Sequence, residues 1–375
     1  MLVNDLVQLL SDLVKIPSVT GAEAEISHFI AEWCESHGLP VEILPVSSNR
    51  SDVITRLTSP QAGPRILFNG HMDTVEPGNG WTRDPFGAEI EDGRMYGRGT
   101  FDMKAGLACI LYVAAICKAE GLPRKGELIV TAVVDEESIA RGTYALIEKD
   151  ITKGVDLAMI SEPTDLNVVT AHCGRAVFEI EVRGQVAHSE LPEAGVNAIE
   201  QSAILVNALK GLRGPNHPKI GTTRVSALRI DGGQEEVMLV PDRCRLLVEQ
   251  CLVPGHTMAS ALEDLKRLIA GIGVDASVKV PARVTPFCEP FEIPDDDPQV
   301  RFVAETAGDI LGGTPDLNFH RGPCDSCILV NQGKIPTIEF GPSGSELHKP
   351  DEYVQLESVN RTAAVYKQIV RKLLS

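Results

Sequence analysis

The chain has 375 residues, 43% of them hydrophobic, with 35 Lys+Arg against 52 Asp+Glu and a formal net charge of −17. That length exceeds what one hydrophobic core usually serves and predicts two domains. So large an acidic excess excludes nucleic acid or an anionic membrane as the main partner, because both reward clustered positive charge.

Residues 1–14 carry apolar side chains at helical spacing, interrupted by Asp5 and Asp12, without the basic start of a signal peptide. Thr20-Gly-Ala-Glu23 predicts a capping box that opens a second helix, with Ile26, Phe29, Ile30 and Trp33 on one face and Gly38 as its stop. Strands follow at 52–57 and 65–70, a hairpin at 88–96 turning about Asp92-Gly93, an apolar helix at 103–119, and buried strands at 128–134 and 157–160. Short apolar runs alternating with long helices predict a mainly parallel sheet. No segment is expected to be long enough to span a membrane.

From about Gly174 the texture changes: 175–183, 224–230 and 245–253 alternate polar with apolar residues, and helical stretches at 197–212 and 257–270 separate them. The order strand, helix, strand, strand, helix, strand predicts a small ferredoxin-like α+β domain. Buried α/β texture returns past about residue 284, and a last helix closes the chain at 356–374. The expected organisation is α/β, with a catalytic domain of 1–173 and 285–375 and an inserted domain of 174–284. Nine cysteines, an odd number lying mostly in apolar runs, suit a reducing compartment and predict a cytoplasmic protein. Cys324-Asp-Ser-Cys327 has neither a second pair nor a thioredoxin-like context and reads as buried thiols.

Chemistry-bearing residues follow several of the predicted buried strands: His71-Met-Asp-Thr-Val75, the pair Glu136 and Glu137, Ser161-Glu-Pro-Thr164, and Leu347-His348-Lys-Pro-Asp351. Reactive groups in open α/β sheets gather outside the carboxyl ends of the strands. A hydrolytic two-metal site needs hard or borderline ligands, one bridging carboxylate and a spare carboxylate to take a proton from water. His71, Asp102, Glu137, Glu162 and His348 supply such ligands, with Glu136 as the spare. Consecutive side chains leave the backbone in different directions, so one of Glu136 and Glu137 ligates while the other serves as base. Asp102 opens a helix in Gly97-Arg-Gly-Thr-Phe-Asp-Met-Lys-Ala-Gly106, where the helix amino end favours an anion. Asp73, two residues beyond His71, is expected to hold that imidazole through its other nitrogen. His28, His37, His172, His217, His256 and His320 lack such context and read as structural or exposed.

Taken together these motifs resemble the metal-dependent aminoacylase, acetylornithine deacetylase, succinyl-diaminopimelate desuccinylase and carboxypeptidase G superfamily of co-catalytic zinc metallopeptidases. Further carriers are Gly184-Gln-Val-Ala-His-Ser189 with Gly195-Val-Asn-Ala198, and Phe340-Gly-Pro342. The resemblance covers nearly the whole chain. It implies a zinc-peptidase-like catalytic domain on a central mixed, mainly parallel sheet, with the inserted domain as lid and dimerisation domain. It also implies one zinc on His71, Asp102 and Glu162, another on Asp102, Glu137 and His348, Glu136 as general base, Asp73 orienting His71, and a cis peptide after Asp102. His188, a loop residue by its own context, would match a lid histidine that stabilises the tetrahedral oxyanion, often in the partner subunit. The lid departs from the family pattern at Met238, where an Asn is usual, and at Glu249-Gln-Cys251, where Asp-x-Arg is usual. Arg229, Arg243 or Arg245 are candidate replacements for that arginine, the alternative being a substrate without the expected α-carboxylate. Gly341-Pro342-Ser343 and Cys324-Asp325-Ser326 also stand where Gly-Pro-Gly and Thr-Asp-Ala are usual.

The expected function is a di-zinc hydrolase, with cobalt or manganese as other metals, that cleaves the amide of N-acyl amino acids. A dipeptidase or carboxypeptidase is the alternative, and a non-catalytic metal-stabilised binding protein the reading from another class. The expected partners are a small N-acyl amino acid or short peptide and a second copy of the chain.

Overall fold

The computed structural model describes residues 3–233, 238–281 and 288–375; the expected boundary at 284/285 lies outside the described residues. The chain divides into two compact units, Met1–Thr170 with Ile293–Asn318 and Cys324–Ser375, and Ala171–Glu292 with Phe319–Pro323. The second unit thus takes in five residues from a later stretch, 319–323, that alternation of polar and apolar side chains did not mark.

In the first unit the sheet runs in the order Val41–Ser47, Arg50–Thr58, Glu127–Val133, Arg65–His71, Leu157–Ile160, Thr337–Glu339. The last four strands are mutually parallel, and Arg50–Thr58 joins Glu127–Val133 antiparallel. Parallel strands need crossover connections, and the helices that supply them cover both faces. This is why these strands show no alternation of polar with apolar residues: Ile66, Leu67 and Phe68, like Leu128, Ile129 and Val130, are buried in succession.

The helix Ala105–Ala119 is buried almost all round, as expected for a helix without a polar face. Together with the irregular turn before it, Thr100–Ala119 is apolar and long enough to cross a membrane by composition, contrary to expectation, yet 89% of its apolar window is buried inside the protein. It is a core helix. It packs closely against the Ser161 backbone because position 106 is glycine: a side-chain carbon there would lie 1.9 Å from Ser161 O. The closing helix is Leu356–Leu374, and Tyr366 sets its ring edge-on against Phe68.

The predicted capping box at Thr20 does not form. The helix Ala24–Ser36 begins after Glu23 with no side-chain cap; Thr20 Oγ1 instead donates to Asp73 Oδ2 at 2.8 Å, and the Glu23 carboxylate takes Gly21 N–H and the Arg50 guanidinium. Asp73 and Glu23 are fully buried, and satisfying buried charge outweighs a helix cap worth about 1 kcal/mol.

A small antiparallel sheet in the first unit runs Gly344–Ser345, Tyr353–Gln355, Arg94–Tyr96, Glu89–Glu91. It brings the segment leading to Asp102 beside the segment that follows His348, with Tyr353 opposite Tyr96.

The second unit is the expected ferredoxin-like sandwich. Its antiparallel sheet runs Val225–Gly232, Arg243–Leu252, Gly174–Arg183, Ala276–Lys279, and the helices Ala198–Leu209 and Met258–Ile272 pack on it around Phe178, Ile180, Leu205, Leu246, Val248 and Leu265.

Candidate metal centre

Three of the parallel strands deliver their chemistry at their carboxyl ends. His71 is the last residue of Arg65–His71, Glu136 and Glu137 follow Glu127–Val133, and Glu162 follows Leu157–Ile160. Asp102 lies in the turn Thr100–Lys104 with non-helical backbone, and its peptide bond to Met103 is cis, as the resemblance implied. His348 sits at φ 60°, and Asp135, just before the glutamate pair, at φ 73°. Both are in the left-handed region, uncommon for non-glycine residues and frequent at sites that over-determine their backbone.

These side chains converge into two triads that share Asp102. Ligand atoms of His71, Asp102 and Glu162 lie within 4.8 Å of one another, and so do those of Asp102, Glu137 and His348. Asp102 Oδ1 is 3.1 Å from His71 Nε2, while Oδ2 is 3.0 Å from His348 Nε2. His348 Nε2 is also 3.0 Å from Glu137 Oε1, and His71 Nε2 is 3.8 Å from Glu162 Oε1. Glu136 belongs to neither triad, yet its Oε2 is 3.9 Å from His71 Nε2. All six residues gathered from the strand ends and the Asp102 turn therefore meet in one unit.

Asp73 is placed differently from expectation. The nearest partner of His71 Nδ1 is the Asp73 backbone carbonyl at 2.9 Å, with the carboxylate at 3.7 Å. A carbonyl only accepts, so Nδ1 carries a proton, and Nε2 is the nitrogen left to donate to Asp102 or, once neutral, to face a cation. The carboxylate of Asp73 accepts the backbone N–H groups of Glu136 at 3.1 Å and Glu137 at 3.2 Å, together with the Thr20 hydroxyl. It fixes the turn carrying both glutamates. Burial raises its pKa to about 6.

Sequence reasoning missed several other members of the site. Asn69, two residues before His71, donates to the buried Asp325 at 3.0 Å and accepts from Thr131 at 2.6 Å. Lys104, fully buried, donates to the carbonyls of Leu13 at 3.0 Å and Ile16 at 2.8 Å, and burial lowers its pKa to about 7. Glu352 accepts from the backbone of Phe101 and Asp102. Lys104 and Asp325 stood inside quoted motifs and Asn69 and Glu352 beside them, but no local pattern gave any of them a role.

The electrostatics of the cluster are those of a cation site. Burial raises Glu136 and Glu162 well above the usual carboxylate range, helped by neighbouring carboxylates and opposed by His71. Burial acts on Asp102 in the same sense, but hydrogen bonds to His348 and His71 win and hold it low. His71 is raised although burial lowers it, because Asp102, Glu136 and Glu162 surround it. His348 is raised to about 10, chiefly by its hydrogen bonds to Asp102 and Glu137. Imidazole and carboxylate donors in triads suit zinc, cobalt or manganese and would leave an ion held there open to water.

His188 is not among these residues. It lies in the second unit on an exposed segment, where its backbone bridges to Leu239 and Nδ1 accepts from Glu190 N–H at 3.2 Å. Of the candidate arginines there, Arg229 pairs with Asp231 at 2.8 Å and Arg245 with Glu181 at 3.5 Å, while Arg243 is exposed.

Raised from 6.5 to about 10, His348 is protonated at neutral pH in metal-free protein, and its contribution to stability is present below 6.5 and lost as pH rises toward 10. Cation binding requires neutral imidazole, so zinc uptake near neutral pH is expected to release about one proton per chain or more, and zinc affinity to rise with pH. Calorimetry of zinc binding in buffers of different ionisation enthalpy measures this; uptake without proton release contradicts it.

The chain matches the model of peptidase family M20/M25/M40 over residues 67–372. It is 29% identical to a succinyl-diaminopimelate desuccinylase of Rhizorhabdus wittichii, across 99% of this chain and 98% of that relative. Among solved structures it resembles the aminopeptidase PepT of Bacillus cereus, with a TM-score of 0.81 and 25% identity over 99% of both chains. A dinuclear metal-binding peptidase of the M20 family from Bacillus subtilis shares the fold, with a TM-score of 0.76 and 19% identity over 99% of this chain and 98% of that one. A family match over most of the chain, on a fold that brings the strand-end carboxylates and imidazoles together, assigns the protein to peptidase family M20/M25/M40, among the metal-dependent amidohydrolases and peptidases.

Proposed function

We propose that the protein is a di-zinc deacylase that cleaves the amide bond of N-acyl amino acids, of the acetylornithine or succinyl-diaminopimelate kind, with cobalt or manganese as substitutes for zinc. The assigned ligands are His71, Asp102 and Glu162 for one ion and Asp102, Glu137 and His348 for the other. Two divalent cations held there supply Lewis-acid activation of water and of the scissile carbonyl.

The observation that carries the reading is Glu136, which stands beside the His71 triad and joins neither triad. A metal-stabilised binding protein has no need of such a spare carboxylate; a hydrolase does. Glu136 takes the proton from the attacking water and hands it to the leaving amine. Its position is fixed by the Asp73 carboxylate on its own backbone N–H, and burial keeps its basicity high. His188 is assigned to the oxyanion, by resemblance, from the lid.

The desuccinylase relative, alike over the full length, favours the deacylase, while the likeness to the aminopeptidase PepT favours a peptidase as second reading. We also assign the protein to a reducing, cytoplasmic setting, in keeping with nine cysteines of which seven are buried.

The lid is further assigned as the surface that pairs two copies. Val225–Gly232 is an edge strand, with Leu228 49% and Ile230 52% exposed on it and Ile204 48% exposed on the helix Ala198–Leu209. Bare edges that carry large apolar side chains are normally covered.

Two experiments test these assignments. Glu136→Ala is expected to retain two zinc ions and to lose roughly 10²- to 10⁴-fold in kcat on N-acetyl or N-succinyl amino acids; cleavage by the wild type of dipeptides alone would replace the deacylase by the peptidase reading, and an active Glu136→Ala would remove the base. Light scattering is expected to show a dimer that Ile230→Glu converts to monomer. A monomeric wild type contradicts the pairing.

A further inference from the structure

Asp102 and His348 come from segments 246 residues apart, yet the shared carboxylate and the imidazole are held at 3.0 Å. Both backbones need an anchor for that spacing to persist. One fully buried carboxylate, carried by the segment that follows His348, reaches the Asp102 turn. Glu352 lies four residues beyond His348, where the chain enters the strand Tyr353–Gln355, and its backbone carbonyl accepts Gly97 N–H at 2.9 Å. Its Oε1 accepts two successive N–H groups of the Asp102 turn, Phe101 at 2.9 Å and Asp102 itself at 3.1 Å. Its Oε2 takes the guanidinium of Arg98, also fully buried.

Arg98 is held in turn. Its second nitrogen donates to Pro77 O at 3.2 Å and its guanidinium lies over the Trp81 ring, which donates to the same carbonyl at 2.7 Å. Beside Glu352, Asp351 accepts the backbone and hydroxyl of Thr82, both at 2.9 Å. The Arg98 and Asp102 segment and the His348 segment are thus pinned to each other through a charged pair with almost no solvent contact, where geometry is fixed and not averaged.

We propose that Glu352, through its buried pairing with Arg98, is a positioning residue that sets the spacing between the shared Asp102 and His348 and so determines the affinity of the second triad for its cation. This rests on the ligand assignment above, but not on the substrate. A residue that only supported the fold would lower the stability of the protein without singling out one ion.

Glu352→Gln keeps the volume and one acceptor oxygen, but whichever way the amide turns, its NH2 faces either Arg98 or the two N–H groups. Zinc is titrated into chelator-stripped wild type, Glu352→Gln, His348→Ala and the double variant, with the melting temperature of each metal-free protein measured alongside. The wild type is expected to bind two ions and Glu352→Gln to bind one of them about tenfold more weakly or worse. In the His348→Ala background the same change should alter the remaining affinity by less than about threefold, because the spacing it sets has no second ligand to serve.

Unchanged zinc affinities in Glu352→Gln overturn the proposal, as does a loss that persists undiminished without His348, or a lowered melting temperature as the sole effect. Should Glu352→Gln not fold, Arg98→Lys keeps the charge while losing the fork, and it must weaken the same ion; equal affinities there overturn the proposal too. A wild type that binds fewer than two zinc ions overturns the ligand assignment and this inference together, whereas inactivity toward acyl amino acids with two ions bound overturns only the deacylase reading.

Discussion

Four carboxylates, Asp102, Glu136, Glu137 and Glu162, are gathered around two imidazoles with side chains only 8 to 11% exposed. Even with both imidazoles protonated, two negative charges are left over. An ionised carboxylate withdrawn from water without a partner is among the costliest groups a fold can contain, and it responds by shifting its pKa or by recruiting a cation. The rest of the first unit answers this excess. Parallel strands place their carboxyl ends together, the sheet's helices exclude water from behind, and the loops at the open edge carry the acids. A pair of divalent cations would offset the charge, whereas protonation of Glu136 and Glu162 would offset it only by giving up the proposed base and a proposed ligand.

The same chemistry recurs one layer back with the opposite orientation. Asp73 binds the N–H groups of Glu136 and Glu137, Glu352 those of Phe101 and Asp102, and Asp52 that of Val134 at 3.0 Å. Asp135 anchors Arg50, which also pairs with Glu23. Part of the excess of acidic residues behind the formal net charge of −17 is therefore internal: it is neither solvated surface nor ligand, but carboxyl groups spent on backbone donors at the turns that aim the ligands. Burial raises Asp52 to about 8 and Asp73 to about 6, and these braces hold because backbone donors and hydroxyls face them in fixed directions.

What the sequence disclosed and what it hid divide along this line. His71, Asp102, Glu136, Glu137, Glu162 and His348 were legible because most of them end a run of buried apolar residues, and strand ends in a parallel sheet share one edge. The ferredoxin-like order of the second unit was legible from period-two alternation. The braces were not, since a carboxylate that accepts N–H groups 63 or 250 residues away leaves no local pattern. Thr20 and Glu23 did leave one, and it misled: the spacing of a helix cap was real, but both side chains had stronger partners in Asp73 and Arg50. For Asp73 the spacing from His71 was informative and the atom was wrong, because its backbone carbonyl is nearer to Nδ1 than its carboxylate.

The two triads are chemically similar but unequally enclosed, and this asymmetry bears on how the site works. His71 is 1% exposed, while the side chain of His348 is 43% exposed. A cation held by the His71 triad would give up more of its hydration and be surrounded by more fixed charge, and so would be the harder to exchange. The His348 side borders solvent, so an ion held there would stay open to water, at the cost of weaker electrostatic retention. An exposed ligand cannot rely on close packing for its geometry. It needs its backbone held elsewhere, and the fold meets that need with the left-handed turn at His348 and, four residues on, with a carboxylate buried as deeply as any in the protein.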